Sequence, residues 1–167
     1  MSVSTYSFNH QLEKAERIER ALDEHFQSIG ARISPATLQA QRAGIDRWFK
    51  LPLHERTDWI PVEYKADFKA SKTGNVFIEL ISVLRAGVIE AFGWAYSSQA
   101  DWLFYCLPES GFVLHIEFAQ LRKHLAAWVK QFEQKSAQNQ GYISTGILVP
   151  LEVFGEISIR QIKLNFG

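Results

Sequence analysis

Two acids and a lysine hold the chemistry that this chain is able to do: Asp46, and further along the triplet Glu63-Tyr64-Lys65 inside the apolar run that starts at Trp59. A strand alternates its side chains between faces, so Glu63 and Lys65 project together on one side while Val62, Tyr64 and Ala66 point to the other. One face carries the chemistry and the other belongs to a core. Carboxylates suit a hard cation such as Mg²⁺, which takes one or two of them along with waters and substrate phosphate. A lysine beside two carboxylates stays protonated, and it can orient an attacking water or offset the charge that develops at phosphorus. The set therefore points to metal-assisted hydrolysis of a phosphodiester. Asp58 competes with Asp46 as the first acid. If Asp58 belongs to the strand that carries Glu63, however, their odd separation puts the two on opposite faces.

An Asp on one strand followed by an acid-x-Lys on the next resembles the PD-(D/E)XK nuclease superfamily, the restriction-endonuclease-like enzymes. The proline that names the motif is absent, since Ile45 precedes Asp46. The resemblance covers roughly positions 7 to 108, including the continuation from Asp67 through Thr73-Gly74-Asn75 to Glu79. It implies a single α/β domain over residues 1–167, a restriction-endonuclease-like mixed β-sheet flanked by helices. It also implies that Asp46 and Glu63 bind Mg²⁺, with Mn²⁺ as a substitute, and that the backbone carbonyl of Tyr64 is a further ligand. Lys65 would be the catalytic lysine. Superfamily members often carry an acid on the first helix that reaches the metal, and Glu19 is the candidate for it. The substrate would be nucleic acid, DNA before RNA. Lys69, Lys72 and Asn75, around a glycine that lets a loop approach a phosphate closely, are candidates for contacting it.

Each assignment has a plainer alternative. Glu63 and Lys65 fit two solvent-facing residues of an edge strand, with Asp46 beginning a turn. Glu19 fits a surface glutamate paired with an arginine. Lys69 and Lys72 fit a solvated turn. Ser97, Ser98 and Gln99 read as strand caps near the site, and Asp67 as an extension of the polar face or a partner of Lys69.

The elements that must position these groups are legible in part. Phe8, Leu12, Ala15, Ile18, Leu22 and Phe26 recur at helical spacing, which predicts a helix over 7–28 stopped by Gly30, with Glu19 nearest its apolar stripe. A short helix over Leu38 to Arg42 follows Ser34-Pro35-Ala36-Thr37. Strands are predicted over Ile45–Phe49, Trp59–Ala66, Asn75–Leu84 and Trp102–Leu107, with Gly111–Phe118 forming a hairpin across Pro108-Glu109-Ser110-Gly111. Phe118 to Lys135 returns to helical spacing, Gln134 to Gly141 reads as a loop, and the C-terminal β-branched runs read as one or two late strands.

Composition bounds the rest. The 167 residues are 47% apolar and 13% aromatic, which argues against global disorder and for a real core. One cysteine, Cys106, cannot form an intrachain disulfide and reads as a small buried apolar residue. The absence of a leader pattern and of a membrane-length apolar run leads to the expectation of a cytoplasmic protein without membrane contact. Eighteen basic residues balance eighteen acidic ones, an unhelpful total for a phosphate-binding protein. Between Arg42 and Lys72, seven basic residues face five acids, and bound metal would leave that stretch locally basic. No Gly-rich phosphate loop and no Gly-x-Ser-x-Gly turn is present. Duplex cleavage needs two sites, so a homodimer is expected. The rival expectation is an inactive module of the same fold that binds nucleic acid or a protein partner.

Overall fold

The computed structural model describes residues 3–52 and 58–166, with side chains from Glu13 onward. Phe8 and Leu12 of the predicted helical stripe, and Glu55 and Arg56 of the basic stretch, lie outside that description. In chain order the elements are α1 (Val3–Ser28), β1 (Arg32–Pro35), α2 (Leu38–Arg42), β2 (Arg47–Lys50), β3 (Ile60–Ala66), α3 (Ala70–Thr73), β4 (Asn75–Arg85) and β5 (Val88–Phe92). They continue through α4 (Trp94–Ser97), β6 (Trp102–Leu107), β7 (Phe112–Glu117), α5 (Phe118–Gln131), β8 (Gln134–Asn139), β9 (Tyr142–Pro150), α6 (Leu151–Glu156) and β10 (Arg160–Lys163). The fold is mixed α/β. No helix among the described residues is long and apolar enough to cross a membrane.

Two sheets form, where the sequence suggested one. The larger runs β1-β2-β3-β6-β7-β10 and the smaller β5-β4-β9-β8. Within the larger sheet only β3 and β6 pair in parallel, with Glu63 beside Leu103 and Lys65 beside Tyr105. That pairing places β3 in the interior of the sheet, between β2 and β6.

Alternation along β3 sorts its residues into two cores. Ile60, Val62 and Tyr64 meet Ile18, Leu22 and Phe26 of α1, together with Phe49 and Phe104. The spacing of four in α1 makes one stripe, and the Phe26 ring packs 5.1 Å from Phe49 and 4.5 Å from Phe104. The opposite face, through Leu103, Tyr105, Leu114 and Ile116, packs on Ile78 and Ile147 of the small sheet and on Leu121, Leu125 and Trp128 of α5. At about 1.5–3 kcal/mol for each large apolar side chain buried, these two layers hold the central strands in place.

Three strands were not expected from the sequence, β1, β5 and β8, and all three lie at sheet edges. Residues 134–139, expected as a loop, form β8, paired with β9 through Gln134–Ile147 to Asn139–Tyr142. Almost all of β8 is exposed, so no apolar alternation marks it. Arg32–Pro35 pairs with β2, and Pro35 closes the strand at its edge, where the missing N–H costs least.

Candidate active site

The ladder between β2 and β3 runs from Phe49–Ile60 to Arg47–Val62, and there β2 begins. From Glu63 onward β3 continues past it, and Asp46 turns in beside that stretch. The Asp46 N–H donates to the Val62 carbonyl at 2.8 Å, and Asp46 Oδ2 accepts the Tyr64 N–H at 2.8 Å. A carboxylate therefore occupies the place of the next ladder partner. The Tyr64 carbonyl, on the same edge of the strand as its N–H, opens beside it.

Glu63 projects into the layer between the sheets and is 3% exposed. Its Oε1 takes a charged hydrogen bond from Lys65 Nζ at 2.8 Å, and its Oε2 is buried with no hydrogen-bond partner. The Ser98 hydroxyl lies near but donates to the Gly44 carbonyl at 3.0 Å while accepting from Ala100 N–H, so its one proton is committed elsewhere. Burial pushes the Glu63 carboxyl above the ordinary value, Lys65 and then the neighbouring Ser98 hydroxyl pull it back, and the negative charge of Asp46 raises it. Lys65 is one-third exposed and also lies over the Trp94 ring, 5.7 Å from its centroid. The alternative of a solvent-facing pair on an edge strand does not survive this burial.

Gly44 holds the approach to Asp46. It has φ +75°, and a Cβ there would sit 2.8 Å from Ser98 Oγ. Glycine is thus required twice, for the left-handed backbone and for close contact with the segment leading to β6. Ser98 ends α4, and its hydroxyl, accepting the Ala100 N–H, ties the segment before β6 to the residues before Asp46.

Glu19 comes from the other side of the sheet. Its carboxylate pairs with Arg47 Nη2 at 3.1 Å, and Arg47 Nε pairs with Asp23 at 3.0 Å. The Tyr64 hydroxyl donates to Asp23 Oδ1 at 2.9 Å, and the Arg47 guanidinium lies over the Tyr64 ring. Burial raises the Glu19 carboxyl, Arg47 lowers it, and Asp46 raises it again. Asp46 thus acts electrostatically on Glu63 from one face and on Glu19 from the other. Sequence reasoning missed Arg47 as the hub. The one available signal was that Glu19 and Asp23 stand one turn apart on α1 with Arg47 beside Asp46.

The remaining predicted residues divide. Lys69 lines the same open cleft as Lys65, a hollow of about 660 Å³ that also includes Lys14, Asp67, Phe77, Trp94 and Tyr105. Lys72 pairs with Glu109 at 3.3 Å and does not line that cleft. Asn75 is spent on the local turn, its Nδ2 donating to the Thr73 carbonyl at 3.0 Å. Asp67 caps α3, accepting from the N–H groups of Lys69 and Ala70 at 2.8 Å, and takes the Tyr105 hydroxyl on its other oxygen. Asp58 is exposed and precedes β3. A larger hollow, of about 800 Å³ between Phe112 and Leu151, contains none of the candidate residues, and chemistry outranks size in locating the site.

Among the described residues, no group of three or more His, Cys, Asp or Glu side chains is placed to hold a metal ion. Any cation here would rest on Asp46, Glu63 and the Tyr64 carbonyl, with waters completing the shell, as Mg²⁺ commonly accepts. A buried carboxylate oxygen without a partner fits that role. Comparison with known protein families, with curated proteins and with solved structures gave no match.

Proposed function

We propose that this protein is a Mg²⁺-dependent nuclease of restriction-endonuclease-like fold, cleaving phosphodiester bonds, DNA before RNA, through Asp46, Glu63 and Lys65. The observation that carries the reading is Glu63 Oε2. Leaving a charged acceptor bare inside a core costs stability, and such costs gather where function needs the group. The mixed sheet, with α1 on one face and the acids where β2 stops pairing with β3, supports the fold assignment. When bound, the cation supplies charge neutralisation at the phosphate and an acidified water.

The chain's own residues have separable tasks. Asp46, locked to the Tyr64 N–H, and Glu63, locked to Lys65, present oxygens at fixed positions and need little reorganisation. Lys65, one-third exposed, reaches toward solvent where a phosphate would lie and keeps its positive charge against the developing negative charge. Arg47 holds Glu19 and Asp23 on the far face and so fixes the start of β2, directly after Asp46. A formal net charge of zero favours a second reading, a module of the same fold that binds nucleic acid or a protein without turnover.

The test is cleavage of supercoiled plasmid, single-stranded and branched DNA, and RNA in Mg²⁺, Mn²⁺ or EDTA, with wild type and Lys65→Ala. Metal-dependent nicking that Lys65→Ala abolishes is expected, with binding largely kept. Nicking undiminished in the variant removes the site, and silence from folded protein on every substrate transfers the case to the binding module.

A further inference from the structure

We infer that the cleft beside Lys65 receives an unstacked base, so that the substrate at this site is single-stranded nucleic acid or a frayed or branched end and not a continuous duplex. The inference rests on the nuclease reading and specifies its substrate. The cleft's walls are aromatic and its rim is basic. Phe77, Trp94 and Tyr105 contribute rings, while Lys14, Lys65 and Lys69 contribute ammonium groups.

Two facts make the cleft a base site and not simply a basic surface. The Trp94 ring is half-buried yet faces the cleft, because Lys65 Nζ lies over it at 5.7 Å. Its packing against Tyr105 (6.4 Å between centroids) and Phe118 (6.3 Å) leaves the indole little freedom to swing away. The same ammonium contacts Glu63 at 2.8 Å. One ammonium thus touches both the carboxylate site and the aromatic platform, which sets the two side by side. When a phosphate occupies the carboxylate site, the ammonium turns to its oxygens and the ring face is released. A base takes that face only if it has left its helical stack.

Charge supports an anionic occupant. Among the described residues Asp67 is the one acid lining the cleft, and both of its oxygens are used internally, by the N–H groups of Lys69 and Ala70 and by the Tyr105 hydroxyl. Lys14 and Lys69 therefore face no carboxylate of the cleft wall that is free to compete, and Lys65 is shared with Glu63 alone. The Lys14 ammonium lies over the Phe68 ring, 5.9 Å from its centroid, which holds a positive charge beside the cleft wall.

The experiment measures binding without cleavage. Fluorescein-labelled oligo(dT) and a mixed-sequence duplex of the same length are titrated with wild type, Trp94→Ala and Trp94→Phe in EDTA at low salt, following anisotropy and tryptophan emission. Base–aromatic stacking predicts that Trp94→Ala weakens single-strand binding by about 5- to 150-fold, while duplex affinity changes by less than about twofold. Trp94→Phe should restore single-strand affinity to within about threefold and should lack the tryptophan quenching that wild type shows on binding. This second variant decides the matter if Trp94→Ala does not fold. Unchanged single-strand affinity in the alanine variant, identical quenching in wild type and Trp94→Phe, or no binding to either DNA would overturn the inference. Trp94-dependent binding from a protein that never cleaves would sink the nuclease reading alone, and cleavage indifferent to Trp94 would sink this inference alone.

Discussion

Glu63→Gln should make the protein more stable while removing its activity. The carboxylate is 3% exposed, one oxygen is bare and the other is held by Lys65. Leaving a buried polar acceptor unsatisfied costs about 1–3 kcal/mol, and more when it is charged. Glutamine keeps the shape, so no cavity opens; its amide still lacks a partner at the second position, so what it relieves is the cost of the buried charge. The loss is the ion pair, worth at most about 1 kcal/mol because Lys65 is one-third exposed and can turn to water. The balance is a gain of about 1–2 kcal/mol at pH 8, or a Tm about 2–8 °C higher for a chain of this size. Thermal unfolding in EDTA, followed by circular dichroism, measures it. The pH dependence gives a second check. Burial raises the Glu63 carboxyl above 4.5, so its stability contribution is fully present below 4.5 and is lost as pH rises through the folded value. The advantage of glutamine should accordingly shrink as pH falls toward 4.5. A Tm that drops by several degrees in the variant, or an advantage that grows in acid, would refute the reasoning and make Glu63 a structural ion-pair residue.

Three further outcomes follow from the same geometry. Gly44→Ala meets a left-handed φ of +75° and a 2.8 Å contact with Ser98 Oγ, so it should cost about 1–3 kcal/mol in denaturant melts and lower cleavage by displacing Asp46. Tyr64→Phe removes the hydroxyl bond to Asp23 on the α1 face and should cost about 1–3 kcal/mol, yet leave cleavage within about twofold of wild type, because only the backbone of Tyr64 enters the site. Cys106 is fully buried and burial pushes its thiol up, so a thiol reagent should label it only as fast as the protein unfolds, measured by labelling against denaturant.

What the sequence made legible follows from which signals are local. The stripe Ile18, Leu22, Phe26 and the alternation through β3, β6 and β7 are periodic patterns, and they appear as elements close to where they were expected. Edge strands escaped because pairing, not patterning, makes them: β8 is polar on both faces, and β5 has exposed residues along most of its length. The second sheet followed from those omissions. In the candidate site, strand parity correctly put Glu63 and Lys65 on one face, and the ladder brought Asp46 to them. The Arg47 hub was hidden because its partners lie 24 and 28 residues away on another element. Trp94 was hidden for a similar reason, since only the fold brings it over Lys65.

The proposed nuclease requires that Asp46, Glu63 Oε2 and the Tyr64 carbonyl share a divalent cation. Anomalous scattering from crystals soaked in Mn²⁺, for wild type and Glu63→Gln, tests it directly. One strong peak is expected in wild type within about 2.0–2.3 Å of an oxygen from each of the three residues, greatly reduced in the variant. A well-ordered site with no peak there, or a peak that Glu63→Gln leaves unchanged, would contradict it.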